Sequence, residues 1–213
     1  MTGPVLYGPA YSVYVRAARL ALEEKGVAYR LVEIDILGDY DMPAEHLARH
    51  PFGLVPAFEH EGFSLYETGA ITRYVDEAFP GPALQPAEPK ARARMNQIIS
   101  IIDNYAYRPL VRTIFVQRVL APQRGQEPDE DRVAAALGKA AICLKALENL
   151  LGEKHFLTGG SLSLADLHAA PMLAYFDKTP EGRQLMAGCP GIARWWSEMA
   201  ARPSMEKTRS FLG

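Results

Sequence analysis

Four prolines within ten residues divide this chain into two parts of different character. They lie in PGPALQPAEP, residues 80–89, and closely spaced prolines interrupt both helices and strands. Before this stretch, short β-rich runs alternate with helical patterns, whereas after it no strand signal is found. We therefore predict an α/β domain over residues 1–80, a linker at 81–89 and an all-helical domain over 90–213.

The first part is predicted to contain a βαβ unit followed by an αββα unit. The βαβ unit comprises a strand at Val5–Tyr7, a helix over residues 12–25 that ends at Gly26, and a strand over residues 29–34. The αββα unit comprises a helix at 43–49, strands at 54–59 and 63–65, and a helix at 67–79. Four strands covered by helices are typical of the thioredoxin-like fold.

The second part is predicted to be a bundle of helices. The first helix runs from 90 to 120, and Pro109 should bend or divide it. Further helices are expected at 128–151, 164–177, 182–187 and 191–201.

The charge of the chain is small overall but unevenly distributed. The net charge is −2, which argues against general nucleic-acid binding. Residues 1–80 hold 6 Lys/Arg and 12 Asp/Glu, a net of −6, whereas residues 81–213 hold 17 and 13, a net of +4. The split is explained by two solvated surfaces of different composition, or by two domains whose opposite fields favour packing between subunits.

Several absences narrow the cellular context. Cys143 and Cys189 have no partner in a metal or redox spacing, so we expect two buried, reduced thiols and no metal site. No basic start followed by an apolar run predicts a secretory signal, and no apolar stretch of about 20 residues predicts a membrane span. We expect a cytoplasmic protein.

Three short motifs of the first part carry residues suited to binding or catalysis. Pro56 follows a strand-like Leu-Val pair, and a proline cannot occupy the middle of a central strand. A cis Val55–Pro56 bond is one solution, although trans is the commoner form of such bonds.

The second motif, Glu67-Thr68, begins a predicted helix, where free N–H groups and the positive end of the helix dipole favour a carboxylate. Thr68 offers a hydroxyl and an N–H to such a ligand, and Glu67 offers a partner for an ammonium group. The alternative is that both residues only cap their own helix.

The third motif places Ser12 at the entry to the first helix. A hydroxyl there, together with the positive end of the dipole, lowers the pKa of a bound thiol from its usual value of about 8.5. The alternative is that Ser12 is an ordinary N-cap. Tyr7, Tyr11 and Tyr14 offer other hydroxyls nearby, although Tyr7 is expected in the core and Tyr14 on another face.

A fourth motif, around Ser163, is predicted to be structural. In Leu162-Ser163-Leu164-Ala165-Asp166-Leu167, Ser163 stands at an N-cap and Asp166 three residues later, which is the pattern of a capping box. We therefore assign no active-site role to either residue.

Taken in this order and spacing, these features resemble the cytosolic glutathione transferases over nearly the whole chain. YGPAYSVYVRAARLALEEKGVAYRLVEIDI is similar to the family's first βαβ unit, and EHLARHPFGLVPAFEHEGFSLYETGAITRYV to its glutathione-binding stretch. TGGSLSLADLHAAPML and PGIARWWSEMAARPSMEK resemble its helical-domain capping box and closing helix. The plant-type phi class is the nearest match, with theta-like bacterial enzymes next.

The resemblance implies a serine-type transferase that conjugates glutathione to a small hydrophobic electrophile in detoxification, with glutathione as co-substrate and no cofactor. It implies that Ser12 activates the thiol, that Val55 pairs with the cysteinyl backbone and that Pro56 is cis. Glu67 and Thr68 would hold the γ-glutamyl end. The resemblance also implies a homodimer, with the first domain of one subunit against the helical domain of the other.

Some residues depart from the family pattern. Leu54 occupies a glutathione-binding position where glutamine is common, and Met42 and Pro43 stand where phi members carry a lysine that meets the glycyl carboxylate. Arg16 or Arg19 is a candidate replacement for that lysine. Fewer charged contacts would weaken glutathione binding.

The resemblance places the electrophile site between the domains, with contributions from the first helix entry, the middle of the long helix and the end of the chain. The candidates are Tyr11, Tyr105, Arg108, Arg112, Phe115 and Tyr175. Two other functions stay open. The missing lysine and glutamine suggest a non-catalytic glutathione- or ligand-binding protein of the same fold. A glutathione-dependent reductase is disfavoured, because residues 1–80 contain no cysteine.

Overall fold

The computed structural model describes residues 3–36 and 42–212, which form two compact units. The first unit is Met1–Leu84 together with Pro203–Gly213, and the second is Gln85–Arg202. From the sequence, residues 203–213 are expected in the helical domain. In the structure, a short terminal helix at Pro203–Lys207 packs against the helix Val13–Glu24, which is why residues 203–213 belong to the first unit.

A four-stranded sheet lies at the centre of the first unit. Its strands are β1 (Val5–Tyr7), β2 (Arg30–Val32), β3 (Ala57–His60) and β4 (Phe63–Tyr66). They lie in the order β2-β1-β3-β4, with β1 parallel to β2 and β3 antiparallel to both β1 and β4. The helices between them are α1 (Val13–Glu24), α2 (Ala44–Arg49) and α3 (Thr68–Ala78). This βαβ-αββα order confirms the predicted thioredoxin-like fold.

Helix α1 begins and ends where its sequence indicates. Ser12 is the N-cap in extended geometry, and Gly26 follows the last turn with a φ of 68°. The N–H of Gly26 donates to the carbonyl of Glu23 and the N–H of Val27 to that of Leu22, which satisfies two free carbonyls. The helix packs against α3.

Strand β3 is shorter than predicted. It was expected from residue 54 but begins at Ala57, because the Val55–Pro56 bond is cis and takes the preceding residues out of the ladder. Leu54 and Val55 are therefore loop residues that precede the strand.

The second unit is helical, as predicted. Its helices are α4 (Pro89–Ile101), a π-helical segment (Ile102–Leu120), α5 (Ala121–Gln123), α6 (Glu130–Leu151), α7 (Leu164–Phe176), α8 (Pro180–Ala187) and α9 (Pro190–Ala200). Pro109 does not divide the long helix. It lies buried within the π-helical segment, where the hydrogen-bond spacing is wider, and the helix continues to Gln123. The helix α10 (Pro203–Lys207) completes the chain order.

Within the described residues, no helix combines the length and apolar character needed to cross a membrane.

Candidate functional site

Gly8 marks the point where the end of β1, the start of α1 and the loop before β3 meet. Its φ is 141°, which favours glycine, and a Cβ placed on it would lie 2.6 Å from Val15 Cγ2 and 3.0 Å from Val55 Cβ. No larger residue fits without displacing one of these neighbours. Gly8 therefore permits the first turn of α1 and Val55 to approach closely, which brings the Ser12 and Val55 segments to one place.

Ser12 presents a half-buried hydroxyl at the N-terminus of α1. Its oxygen accepts a hydrogen bond from the N–H of Val15 at 3.4 Å, so the residue does cap its helix. This bond uses a lone pair and leaves the hydroxyl proton for another acceptor. Among residues 3–36 and 42–212, Ser12 Oγ donates to no other group. A thiolate beside this hydroxyl would accept a hydrogen bond from it and would be stabilised by the positive end of the α1 dipole.

The loop before β3 offers open backbone at Val55. The Val55–Pro56 bond is cis, as the resemblance implied. Within the described residues, the backbone of Val55 has no hydrogen-bond partner. The carbonyl oxygen of Leu54, the preceding residue, lies 2.8 Å from Nε2 of the buried His46. This contact connects the loop to α2. An extended peptide can therefore pair with Val55 as an added strand.

The N-terminus of α3 is open in a similar way. Glu67 stands at the N-cap with a φ of 71°, a conformation that is rare for residues other than glycine, and its side chain makes no capping hydrogen bond. Thr68 follows as the first helical residue and is buried. Glu67 therefore does not cap α3 through its side chain, and the first N–H groups of a helix are suited to a ligand carboxylate.

Tyr7 has its hydroxyl engaged elsewhere. The hydroxyl donates to Glu59 Oε2 at 2.6 Å, and Arg49 lies over the ring at 4.3 Å while its Nε donates to Glu59 Oε1. Burial, followed by the bond to Glu59, raises the pKa of Tyr7. Tyr7 is thus unsuited to stabilise a thiolate. The Tyr7–Glu59–Arg49 cluster is not predictable from local sequence, because its members are far apart in the chain.

Tyr11 lies next to Ser12 but is held by other contacts. Its hydroxyl lies 3.2 Å from Asp35 Oδ1, and it accepts the N–H of Ile36 at 3.4 Å. Its ring meets that of Phe211 edge to face, at 5.9 Å between centroids. The hydroxyl and the ring of Tyr11 are thus both engaged with other groups of the first unit.

Arg16 and Arg19 are not the replacements for the missing lysine. Both guanidinium groups are buried and donate to the end of the chain. Arg16 reaches Met205 O and Thr208 Oγ1, and Arg19 reaches Lys207 O and Thr208 O. They hold the terminal segment on α1, since cations favour carbonyls at a helix C-terminus.

Three of the electrophile candidates line a groove of the second unit. The groove has a volume of about 1230 Å³ between the π-helical segment and α6, and Tyr105, Arg108 and Arg112 lie along it. Arg132 and Lys139 of α6 also line it, and none of the described lining residues is acidic. Phe115 does not line it, because its ring is 1 % exposed and stacks on Tyr175 at 4.2 Å in the core of the unit.

Ser163 has the structural role that its motif predicts. It donates through both N–H and Oγ to Asp166 Oδ2, at 2.8 and 2.7 Å. The N–H of Leu157 and Nε1 of Trp195 donate to Asp166 Oδ1, both at 2.8 Å. Burial raises the pKa of Asp166, whereas the four donors favour its charged form. The Asp166 carboxylate and its four donors all belong to the interior of the second unit.

Neither cysteine provides a reactive thiol. Cys143 and Cys189 are buried and unpaired, as expected. Burial raises the pKa of Cys143 to about 11 and also raises that of Cys189, so both favour the protonated form at neutral pH. Across the described ranges, no three potential metal ligands come together.

Comparison with known proteins identifies what this arrangement is similar to. Residues 6–83 match the family model "Glutathione S-transferase, N-terminal domain", and residues 74–203 match "Glutathione S-transferase, C-terminal domain". Glutathione S-transferase 4 of Zea mays is 35% identical over 208 residues, which cover 97% of this chain and 92% of that protein.

Two solved structures extend the comparison to the fold. Glutathione transferase F7 from Populus trichocarpa superposes with a TM-score of 0.86 at 29% identity, with 99% of each chain covered. Glutathione S-transferase I from maize, solved in complex with an atrazine glutathione conjugate, superposes with a TM-score of 0.85 at 29% identity, covering 97% of this chain and 96% of that one.

Proposed function

The chain belongs to the glutathione S-transferase family, and from that premise we propose that Ser12 holds the thiolate of glutathione while it attacks a small hydrophobic electrophile. The observation that carries the proposal is the hydroxyl of Ser12 at the N-terminus of α1, which accepts one helix N–H and keeps its own proton for donation.

The chemistry follows from the charge at sulfur. The thiol loses its proton to solvent, and the thiolate is stabilised by the Ser12 hydroxyl and the α1 dipole. With an aryl chloride as electrophile, the sulfur lone pair forms a C–S bond and chloride leaves with the electrons of the C–Cl bond. The stabilisation has to lower the thiol pKa toward neutrality without removing the nucleophilicity of the sulfur.

The rest of glutathione is proposed to span from Val55 to α3. The cysteinyl backbone pairs with Val55, beside Leu54 and the cis Pro56, because that backbone is open. The γ-glutamyl carboxylate lies at the N-terminus of α3 against Thr68, and Glu67 meets the ammonium group. Backbone pairing in the middle and charge at one end would fix the sulfur near Ser12.

For the electrophile we propose Tyr11 as a contact, because it directly precedes Ser12 at the entry to α1. Tyr105, Arg108 and Arg112 are proposed as further contacts, since they share one groove of the second unit. Phe115 supports this groove from the core rather than touching the ligand.

We also propose that the protein is a cytoplasmic homodimer. The support is the charge split, −6 over residues 1–80 against +4 over residues 81–213, which favours contact between the first domain of one copy and the helical domain of another. Sedimentation at low and high salt tests this, because screening of opposite charges should weaken the dimer.

A conjugation assay with chlorodinitrobenzene tests the proposed role of Ser12. We expect Ser12→Ala to lower kcat/KM by about 100-fold, while Ser12→Thr, which keeps a hydroxyl, retains more activity than Ser12→Ala. Wild-type activity that survives Ser12→Ala unchanged would remove Ser12 from the mechanism. Glutathione binding in calorimetry without turnover of several electrophiles would favour the non-catalytic alternative.

A further inference from the structure

A buried histidine lies next to the start of α3. His50 is the C-cap residue of α2, and it is 2 % exposed. Its ring centroid lies 4.8 Å from that of Tyr66 and 6.1 Å from that of Phe52. Tyr66 ends β4 and directly precedes Glu67, the N-cap residue of α3. These contacts bring a titratable ring close to the residue that is proposed to meet the ligand ammonium group.

The backbone of His50 is held more firmly than its imidazole. Its N–H donates to the carbonyl of His46, and its own carbonyl accepts the N–H of Gly53. The side-chain Nδ1, in contrast, is buried and has no hydrogen-bond partner among the described residues. A buried imidazole favours the neutral form, because burial penalises the charge and no acceptor offsets the penalty.

Two neighbouring groups act on the charge of this imidazole. Burial has the largest effect and lowers the pKa of His50 below its usual value of about 6.5. The carboxylate of Glu67 acts in the opposite direction, and the imidazole of His46 lowers the pKa further. Arg49, the preceding residue, donates to Glu59, and the loop at 51–56 contains no titratable side chain. Of the charged groups that the structure describes around it, Glu67 is the one that favours a proton on His50.

The carboxylate of Glu67 is available to either of two cations. Its residue is exposed, and its side chain makes no capping hydrogen bond. The γ-glutamyl ammonium group is one candidate partner, and a protonated His50 is the other. Two cations beside one carboxylate repel each other. A proton on His50 and an ammonium group at Glu67 should therefore oppose each other.

We propose, building on the proposed function, that His50 is a positioning residue that sets the pH range in which Glu67 binds the γ-glutamyl ammonium group. The neutral imidazole leaves the carboxylate to the ligand, and the protonated imidazole competes with the ligand for it. The coupling is reciprocal, so ligand binding also displaces the proton from His50.

The direction of the pH dependence follows from the pKa of His50. At pH values above this pKa the imidazole is neutral and the affinity is at its full value. As the pH falls through this pKa, the imidazole becomes a cation and the affinity decreases. Because burial lowers the pKa of His50, the change is expected in mild acid rather than at neutral pH.

Calorimetry with S-methylglutathione at pH 7 and pH 5, at fixed ionic strength, tests this proposal. The methyl group removes the thiol proton, so ionisation of the sulfur near Ser12 does not contribute. The α-carboxyl and α-amino groups of the ligand keep their charges between these pH values. For the wild type we expect the Kd at pH 5 to be about threefold higher than at pH 7, the size of an exposed ion pair.

Two substitutions of His50 separate its charge from its packing. His50→Phe keeps a ring against Tyr66 and Phe52 but cannot be protonated, and His50→Asn removes both the ring and the titration. A change in packing shifts the Kd at both pH values, so the measured quantity is the ratio of the two. We expect this ratio to approach one in both variants, whatever their Kd at pH 7.

Two further variants identify the partner and provide a control. Glu67→Gln removes the carboxylate, so we expect weaker binding at pH 7 and a ratio close to one. His155→Asn removes an exposed imidazole of the second unit and should keep the wild-type ratio.

Three results would contradict separate parts of the account. The same ratio in wild type, His50→Phe and His50→Asn overturns the role of His50 and leaves the transferase function intact. A wild-type ratio that persists in Glu67→Gln overturns the assignment of Glu67 as the group through which His50 acts. Failure of S-methylglutathione to bind the wild type at pH 7 would instead overturn the proposed glutathione site.

Discussion

Two serines are the N-cap residues of two helices of this protein, and their hydroxyls make different hydrogen bonds. Ser163 is buried at the start of α7, where its Oγ and its N–H both donate to Asp166. Ser12 is half-buried at the start of α1, and its Oγ only accepts, from Val15 N–H at 3.4 Å. The same residue type in the same helical position therefore uses its hydroxyl proton within the fold in one place and keeps it unused among the described residues in the other.

The difference comes from the third residue of each helix. Asp166 occupies that position in α7 and accepts a hydrogen bond from the serine hydroxyl, whereas Val15 occupies it in α1 and has no side-chain acceptor. In a capping box the acidic residue accepts a hydrogen bond from the serine hydroxyl. Where the acidic residue is missing, as in α1, the hydroxyl proton has no acceptor in the first turn of the helix.

The largest effect is expected where the cap is closed. Asp166→Ala leaves buried donors of Leu157, Ser163 and Trp195 without their acceptor, so we expect the free energy of unfolding to fall by about 3 kcal/mol. Urea unfolding followed by circular dichroism measures it. Asp129→Ala removes an exposed cap of α6 and should cost only about 1 kcal/mol. Equal losses in the two variants would mean that burial of the network contributes nothing.

The two serines themselves should separate stability from catalysis. We expect Ser163→Ala to lower the free energy of unfolding by about 1.5 kcal/mol and Ser12→Ala by about 0.5 kcal/mol, because the Ser12 bond is long. Activity per folded molecule should be retained in Ser163→Ala and lost in Ser12→Ala. Parallel urea titrations and conjugation assays check this, and a reversed order of either property would contradict the contrast.

A third helix start, that of α3, resembles Ser12 in being open. Thr68→Val removes a hydroxyl proposed to hold the γ-glutamyl carboxylate, and we expect the Kd of glutathione to rise about fivefold, or about 1 kcal/mol. Calorimetry provides the measurement, and Thr68→Ser, which keeps the hydroxyl, is the matched control. An unchanged Kd in Thr68→Val would place the carboxylate elsewhere.

Tyr7 resembles Ser163, because its hydroxyl is already used. The bond from Tyr7, followed by the contact with Arg49, lowers the pKa of Glu59 below its usual value of about 4.3. A carboxyl group whose pKa is lowered by folding stabilises the fold at pH values above its unfolded-state pKa. This stabilisation is lost as the pH falls through its folded-state pKa. We expect Tyr7→Phe to cost about 1 kcal/mol at neutral pH and progressively less in acid.

Urea titrations of wild type and Tyr7→Phe across this pH range measure that difference. A difference that grows toward low pH would contradict the assignment. A large loss of conjugation activity in Tyr7→Phe would show that its hydroxyl, rather than that of Ser12, serves the sulfur.

Local sequence predicted the N-caps of α1 and α7, because caps depend on residues a few positions apart. Ser12, Gly26, Ser163 and Asp166 all lie where their patterns indicate. The cis form of the Val55–Pro56 bond was predicted from the family resemblance, because the residues alone favour trans.

Contacts between distant segments could not be predicted in this way. Arg16 and Arg19 were candidates for a ligand carboxylate, but they bind a terminal segment nearly two hundred positions away. Phe115 was a candidate contact for the electrophile, yet its ring is buried against Tyr175. A helical pattern shows which residues share a face and does not show which partner covers that face.

The pKa of the glutathione thiol in the binary complex tests most directly whether the Ser12 hydroxyl stabilises the thiolate. Ultraviolet difference spectra of the thiolate, recorded across pH for wild type, Ser12→Ala and Ser163→Ala, measure it. The account predicts a pKa well below the free value of about 8.5 in wild type and Ser163→Ala, and a return toward that value in Ser12→Ala. A thiol pKa that is equally low in Ser12→Ala would contradict it.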